Sequence, residues 1–386
     1  MKFSICHFAR SWDEDEDTKI IRSVIDHSLQ ADELGFDGVF FPEHHFHGYS
    51  PTGSDPFLTA AYLAPQLKQA WLGFAVVVAP LHHPVRLVES MNHLDQLTRG
   101  KVLFGLGSGI HAEEAVGYGN NFDYQLAKMT SEFLEIADRL WDKKIDDPPV
   151  HFETPYYKGD VLERIVPAPY RRPHPYLMGV AGRESSILRA ARRGWPVFVG
   201  AFDQAWRSLR AYRQELAEAG HSPEVLAHCM EWTTVTFQGM FVAETEEKAF
   251  ESMLKTMTGH ERHIQRQTPF IRKAEEIGNV SQEQVRVRPP ANSEPYYSRF
   301  CLWGSPETVA AKLQGYADVG IGNVLMSFNN GLHDEERVQS AQESITLFAT
   351  EVMPRLKGIE TPKDPLAIDL GEEMAQVGSR ERLAYH

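Results

Sequence analysis

Apolar positions along this chain follow two spacings, and the two alternate. Ile21, Ile25 and Leu29 fall on one face of a 3.6-residue period, with Ile20 and Val24 beside them, which predicts an amphipathic helix. Asp17 or Thr18 stands where its cap is expected. Short β-branched and aromatic runs such as Val39-Phe40-Phe41 follow, and these predict strands. The junction between the two spacings repeats. It reads Leu34-Gly35-Phe36-Asp37-Gly38-Val39, then Arg99-Gly100-Lys101-Val102, Arg193-Gly194-Trp195-Pro196-Val197 and Val319-Gly320-Ile321-Gly322-Asn323-Val324. A glycine just past a helix takes the left-handed conformation that ends it and turns the chain into a short loop.

Helices are predicted near 56–68, 84–98, 123–141, 184–193, 204–219, 244–257, 306–318 and 334–350. Ser305-Pro306 marks one start with a capping hydroxyl and a proline at the first helical position. Strands are predicted near 2–8, 37–43, 71–79, 101–107, 175–181, 196–200, 230–243 and 322–328. Strands alternating with helices in this number predict an α/β protein of the (β/α)8 TIM-barrel class, with a doubly wound open sheet as the alternative. Residues 1–358 form that domain. Two stretches interrupt the alternation, 144–174 and 259–304, both proline-containing. They read as inserted loops, which in barrels serve as lids or vary in position. The second is the better lid candidate, and Tyr156, Tyr157 and Tyr170 of the first are expected to shape the substrate end. Residues 359–386 read as a polar C-terminal tail.

Composition narrows the possibilities. The chain has 386 residues, 42% hydrophobic and 24% charged, as ordinary globular proteins do. A net charge of −14 argues against nucleic acid and anionic membrane surfaces as partners. Three widely spaced cysteines, Cys6, Cys229 and Cys301, suggest neither a disulfide framework nor a zinc site and fit a reducing cytoplasm. The start of the chain reads as a strand rather than an export signal, and no run is apolar enough to span a bilayer. The acidic run Asp13–Asp17 reads as a solvated loop that favours the next helix N-terminus.

The chemistry-bearing residues sit at strand ends. Glu43-His44-His45-Phe46 closes the run Val39–Pro42. A carboxylate and two imidazoles are costly there without a use, and the carboxyl ends of barrel strands are where catalytic groups sit. Adjacent strand residues point to opposite faces, so His44 and His45 do not readily share a metal, and no third ligand stands at a suitable spacing. A catalytic imidazole is the preferred reading, with hydrogen-bonded rim histidines as the plain alternative. Phe104-Gly105-Leu106-Gly107-Ser108-Gly109 lets a ligand approach the backbone. It lacks the third glycine and the immediate helix of a dinucleotide fingerprint. Val180-Ala181-Gly182-Arg183-Glu184-Ser185-Ser186 puts small residues and hydroxyls at a helix N-terminus, a natural phosphate site. Simple capping by a serine is the alternative.

Taken in order, Met1-Lys2-Phe3, Gly35-Phe36-Asp37, Glu43-His44-His45-Phe46, Gly53 with Pro56, His83-Pro84-Val85-Arg86, Leu94-Asp95, Arg99-Gly100-Lys101, Phe104-Gly105, Tyr118-Gly119, Gly304-Ser305-Pro306-Glu307, Gly320-Ile321 and Val352-Met353-Pro354 resemble the bacterial luciferase-like family of flavin-dependent monooxygenases over roughly residues 1–355. The resemblance implies a barrel that binds FMN at its carboxyl face. It implies reduced FMN delivered transiently by a separate flavin reductase, O2 as co-substrate, and a C4a-hydroperoxide that oxygenates a small organic substrate. It places His44 near the reactive flavin carbon as acid or base, with Glu43 its neighbour in the pocket. Ala75-Val76 takes the place of the family's non-proline cis peptide under the flavin ring. Gly182, Arg183 and Ser186 take the place of the phosphate-holding loop, and Gly107 and Ser108 line the same end. Luciferase has a cysteine where this chain has Gly107 and an arginine where it has Ser108, so Arg183 or Lys128 is expected to supply the missing charge. An apolar, aromatic lining and a homodimer are also expected. Two other functions remain open: an F420-dependent hydride-transfer enzyme of the same fold, and a non-catalytic flavin-binding protein. A metal-dependent hydrolase is disfavoured by the ligand geometry.

Overall fold

The computed structural model describes residues 1–46, 51–120, 124–180, 184–200, 203–280, 289–329, 331–332, 335–368 and 370. Eight parallel strands close into a barrel in sequential order: β1 (Lys2–Cys6), β2 (Gly38–Phe41), β3 (Trp71–Val78), β4 (Val102–Gly107), β5 (Tyr176–Val180), β6 (Val197–Gly200), β7 (Thr234–Phe237) and β8 (Asn323–Met326). The open-sheet alternative is thereby excluded. Gly35 (φ 90°) and Gly320 (φ 74°) sit at the junctions into β2 and β8 in the left-handed region, as their place after a helix requires.

The strand period of two separates two cores. Phe3, Ile5, Val39, Phe41, Phe74, Phe104 and Val197 point outward into the main core under the helices. Cys6, Phe40, Leu103, Met178, Phe198, Trp232 and Leu325 fill the barrel. Filling is tight: a Cβ on Gly73 would lie 2.2 Å from the Phe40 ring. At the amino end Trp71 stacks on Tyr176 (5.8 Å) and meets Trp232 (5.2 Å), and Ser4, Asn323 and Thr234 are joined by hydrogen bonds of 2.9 and 3.0 Å.

Several details differ from the sequence reading. The first helix, Glu14–Glu33, is capped by Asp13, whose carboxylate accepts from Asp15 N, rather than by Asp17 or Thr18. The acidic run forms its first turn, where negative charge meets the positive end of the helix. Glu16 and Asp17 fold back onto Trp12 N (2.7 Å) and Ser11 Oγ (2.6 Å). The single strand expected over 230–243 is instead the end of a helix, Pro223–Trp232, then β7, then a strand Gly239–Val242 that leaves the barrel and pairs with Cys301–Gly304. Ser222-Pro223 starts that helix with the same cap-and-proline signal as Ser305-Pro306.

The stretch 144–174 contains a hairpin, Val150–Glu153 with Lys158–Val161. Its later part runs along the helix Pro84–Thr98, with Asn92 and Gln96 donating to Pro167 and Ala168 carbonyls. Tyr170 lies against Gly100, at the amino end of β4, so it cannot shape a pocket at the opposite end. Tyr157 is buried in the outer core.

The most consequential difference lies in 259–304. One helix runs unbroken from Glu246 to Ile277, through Gly259 and Pro269. It packs against the short helix Ala112–Gly117 that follows β4 and against Gly331–Leu332 that follows β8. It therefore crosses the carboxyl face of the barrel. The start of the expected lid is a rigid roof rather than a loop. Residues 281–288 lie outside the described residues. Ile359, Ile368 and Leu370 pack on the main core.

Candidate active site

The carboxyl mouth is built from strand ends. After β2, Glu43 and His44 point to opposite sides, as the strand period requires. Glu43 turns outward and is almost fully buried. Its carboxylate accepts from Val78 N (2.6 Å), His82 Nε2 (2.6 Å) and His45 Nε2 (3.1 Å), and its own N–H donates to Val76 O (3.1 Å). Burial pushes this carboxyl upward, but the hydrogen bonds from His45 and His82 outweigh it and hold the group down at about 2. Glu43 is thus an ionised clamp on the backbone at Val76 and Val78. His45 Nδ1 lies 3.1 Å from the Tyr118 hydroxyl, which gives His45 a supporting place in this clamp.

His44 faces the mouth. Its Nδ1 lies 2.9 Å from Glu114 Oε1, and the same oxygen accepts from His45 N at 3.0 Å. Burial raises the Glu114 carboxyl, yet its hydrogen bond with His44 leaves it below the ordinary value. An ionised carboxylate only accepts, so Nδ1 carries the proton and Nε2 is the acceptor nitrogen. Burial is also the largest influence on His44, lowering it to about 4 against the opposing pull of Glu114. The imidazole is neutral at neutral pH, with Nε2 unprotonated. His111 meets it edge-on at 5.1 Å.

The floor is small and apolar. The Ala75–Val76 peptide is cis, and both residues are only half-buried on the barrel's inner side, as are Gly107, Val180 and Gly200. A Cβ on Gly107 would lie 2.5 Å from Val76 Cγ2, and one on Gly105 would lie 2.4 Å from Phe74 O, so these glycines let the two strand ends close up under the mouth. Such a floor accepts a flat ring. Beside it Ser108 Oγ lies 2.8 Å from Thr130 Oγ1, and Ser186 stands half-buried in the first turn of the helix Glu184–Arg192, where amides favour an anion. Gly182 and Arg183 lie outside the described residues. Lys128 is exposed, whereas half-buried Arg189 reaches Ser131 Oγ at 3.3 Å.

The roof is polar rather than apolar. His260, His263 and Gln267 are buried on the inner side of the Glu246–Ile277 helix, and Gln267 is hydrogen-bonded to His263. Arg266 donates to Trp12 O (2.6 Å), and Trp12 meets the His263 ring at 5.6 Å. Sequence reasoning found His44, Ala75, Val76, Gly107 and Ser108, which the strand ends bring together. It missed Glu114, and it gave no site role to Tyr118, which it quoted only as part of a motif, or to His82. A signal for Glu114 exists: Glu113 and Glu114 open a helix immediately after a glycine-rich strand end, although only the fold shows which of them meets His44. Among the described residues no three are placed to hold a metal ion, and no helix is long and apolar enough to cross a membrane. A groove of about 1050 Å³ lies outside the barrel between the helices Glu246–Ile277 and Glu335–Leu347. Its charged groups include paired ones, Lys248 with Glu244 and Lys255 with Glu336, and none of the mouth's imidazoles opens into it.

An eight-stranded barrel with an imidazole–carboxylate pair at its carboxyl mouth is the arrangement of a candidate enzyme site. Residues 1–323 match the family model for luciferase-like monooxygenases, and the chain belongs to that family. It is 26% identical over 354 residues to the alkanal monooxygenase alpha chain of Photorhabdus luminescens, covering 88% of this chain and 92% of that one. It is 21% identical to an F420-dependent glucose-6-phosphate dehydrogenase of Amycolatopsis mediterranei, covering 88% and 95%. Its fold matches the FMN-bound oxygenating constituent of 3,6-diketocamphane monooxygenase from Pseudomonas putida, with a TM-score of 0.69 at 20% identity over 94% of this chain and 99% of that one.

Proposed function

We propose that this chain is the oxygenating component of a two-component monooxygenase. It takes reduced FMN from a separate flavin reductase and uses O2 to oxygenate a small organic substrate. The observation that carries the reading is His44: a neutral imidazole held through Nδ1 by Glu114 (2.9 Å) above a half-buried Ala75–Val76 floor. The family supports flavin-type chemistry, and the FMN-bound relative supports FMN in particular. The residues fit that group. Ala75, Val76 and Gly107 form a bed for the ring, while Ser108, Ser186 and the helix N-terminus, with Gly182 and Arg183 before it, receive the phosphate.

Reduced flavin, when bound, supplies the electron pair that activates O2. The chain does the rest. Its roof helix limits water at the mouth, which strengthens every polar interaction beneath. His44 Nε2 takes a proton from the reacting partner, and Glu114 stabilises the imidazolium that results. A base held this way contributes roughly 10²–10⁴-fold to rate. Glu43 positions the floor through Val76 and Val78 rather than taking part in proton transfer.

The reading extends to a cytoplasmic homodimer. Cys6, Cys229 and Cys301 are free and buried, and Leu58, Tyr62 and Leu97 on the helices Pro56–Leu63 and Pro84–Thr98 present apolar surface to a second copy (69, 53 and 54% exposed). The F420-dependent relative supports a second reading, hydride transfer with His44 as the base. Anaerobic titration separates the two. Tight binding of reduced FMN with no binding of reduced F420 supports the monooxygenase, and the reverse preference contradicts it.

A further inference from the structure

Two helices flank the proposed phosphate end. Tyr124–Asp142 lies between β4 and β5 in the chain, and Glu184–Arg192 follows β5. β4 and β5 are neighbours in the barrel, so both helices run away from its carboxyl mouth. Side chains bridge them in two rungs. In the rung farther from the mouth, Arg193 grips Asp138 through two hydrogen bonds of 2.9 and 2.6 Å. Arg189 stands one turn nearer the mouth, and it meets Ser131 Oγ at 3.3 Å.

The two rungs are finished differently. Arg193 has a carboxylate, and so does Arg192, which pairs with Glu215. Arg189 has one serine oxygen, and no carboxylate among the described residues pairs with it. Ser131 gives its own proton to Ala127 O, so toward Arg189 it only accepts. Arg189 is half-buried, and burial, with the charge of Arg193 added, pulls its guanidinium below the ordinary value. A charge drawn out of water without a counter-charge is costly. An anion at the upper rung removes that cost.

The surroundings of Arg189 say which anion. Long helical side chains lean toward the helix N-terminus, and Ser186 stands one turn before Arg189 on the same flank. Across the seam, Ser131 follows Thr130, whose hydroxyl meets Ser108 Oγ at the end of β4 (2.8 Å). Arg189 is therefore held between the strand end and the helix N-terminus that receive the phosphate in the reading above. Ser108 and Ser186 bring hydroxyls there, and the helix brings amides, but none of these carries a full charge. A guanidinium stays charged, offers five N–H donors and takes phosphate oxygens two at a time.

We infer that Arg189 is the cation that binds the flavin phosphate, exchanging Ser131 Oγ for two phosphate oxygens. This rests on the reading that the mouth is the flavin site. It makes the seam between the two helices the part of the chain that selects FMN over unphosphorylated riboflavin.

The test is anaerobic titration of the protein with reduced FMN and with reduced riboflavin, which differ only in the phosphate. Wild type is expected to bind reduced FMN about tenfold or more tighter, the scale of a hydrogen bond to a charged group. Arg189→Met is expected to cut that preference about tenfold, to near parity, and Arg189→Lys to keep part of it. Riboflavin affinity is expected to stay within about twofold of wild type in both, less than the tenfold that one lost interaction costs. An unchanged preference in Arg189→Met overturns the assignment and leaves the charge to Arg183 or Lys128. Equal weakening of both flavins in the two variants also overturns it, by giving Arg189 a structural role alone. Wild-type protein that binds the two reduced flavins equally sinks the assignment while the flavin reading stands. Wild-type protein that binds neither sinks both.

Discussion

The two ends of the barrel are made from the same strands and are finished in opposite ways. The amino end is sealed with rings. Trp71, Tyr176 and Trp232 stack across it, His228 lies on Tyr176 at 3.9 Å, and Arg171 and Lys2 cover Tyr176 and Trp232 at 4.2 and 5.3 Å. The carboxyl end is finished with carboxylate–imidazole pairs over small residues. Rings fill space and hold it without a specific charge state, and contribute mainly through buried area. Buried ion pairs contribute little net stability but fix side chains and protonation states. One end therefore carries stability, and the other carries function at a stability cost. Each prediction below changes one end and asks whether the other responds.

Glu43→Ala should have the largest effect. It leaves His82, His45 and Val78 N without their shared acceptor, and breaking a buried pair from one side costs about 3–5 kcal/mol. Urea denaturation should register that loss together with weakened flavin binding, since the Val76–Val78 segment is released. Trp232→Ala should cost about 3 kcal/mol in the same assay and leave flavin affinity unchanged. Coupled losses at both ends would contradict the division of labour.

Glu114→Gln should come next. It keeps the shape but removes the ionised acceptor for His44 Nδ1. Turnover should fall roughly tenfold to hundredfold, the scale of a lost charge-assisted hydrogen bond. The fall should appear in kcat more than in KM, and stability should move little. The smallest effect, taken over the first pH unit below 6.5, concerns acid. Burial lowers His44 to about 4 and His228 to about 3, below the ordinary value near 6.5. The unfolded chain thus binds protons that the folded chain refuses. Stability is fully present above about pH 6.5 and falls as pH drops toward 4, by about 1.4 kcal/mol per pH unit for each such proton. His228→Phe keeps the stack on Tyr176 and should flatten that slope by up to one proton in chemical denaturation at stepped pH, while His44 chemistry stays as it was.

Much of this was legible in the chain. The repeated helix–glycine–strand junctions place the barrel strands because a left-handed glycine ends a helix wherever it stands. The strand period puts His44 on the face opposite to Glu43 and His45, and the family resemblance chose His44 as the one that faces the flavin. The roof did not follow, because the stretch from 259 reads as an inserted, proline-containing loop, while the Glu, Arg and Gln between Gly259 and Pro269 favour helix and packing across the mouth decides in favour of continuity. Glu114 was hidden for a different reason. Its partner is 70 residues away in sequence, and no local pattern encodes a contact between two strand ends. The clamp by Glu43 was hidden on the same ground, since His82 and Val78 meet it only once β2 and β3 lie side by side.

The central claim is that His44, poised by Glu114, serves a reduced flavin on the Ala75–Val76 floor. Rapid mixing of the protein–FMNH2 complex with O2, followed by near-ultraviolet and visible absorbance, tests it most directly. The account predicts that bound flavin regains its oxidised spectrum far more slowly than free FMNH2. It also predicts that His44→Ala slows substrate oxygenation roughly 10²–10⁴-fold with FMN affinity nearly unchanged. Reoxidation at the rate of free flavin, or equal losses of oxygenation and FMN binding in His44→Ala, would contradict it.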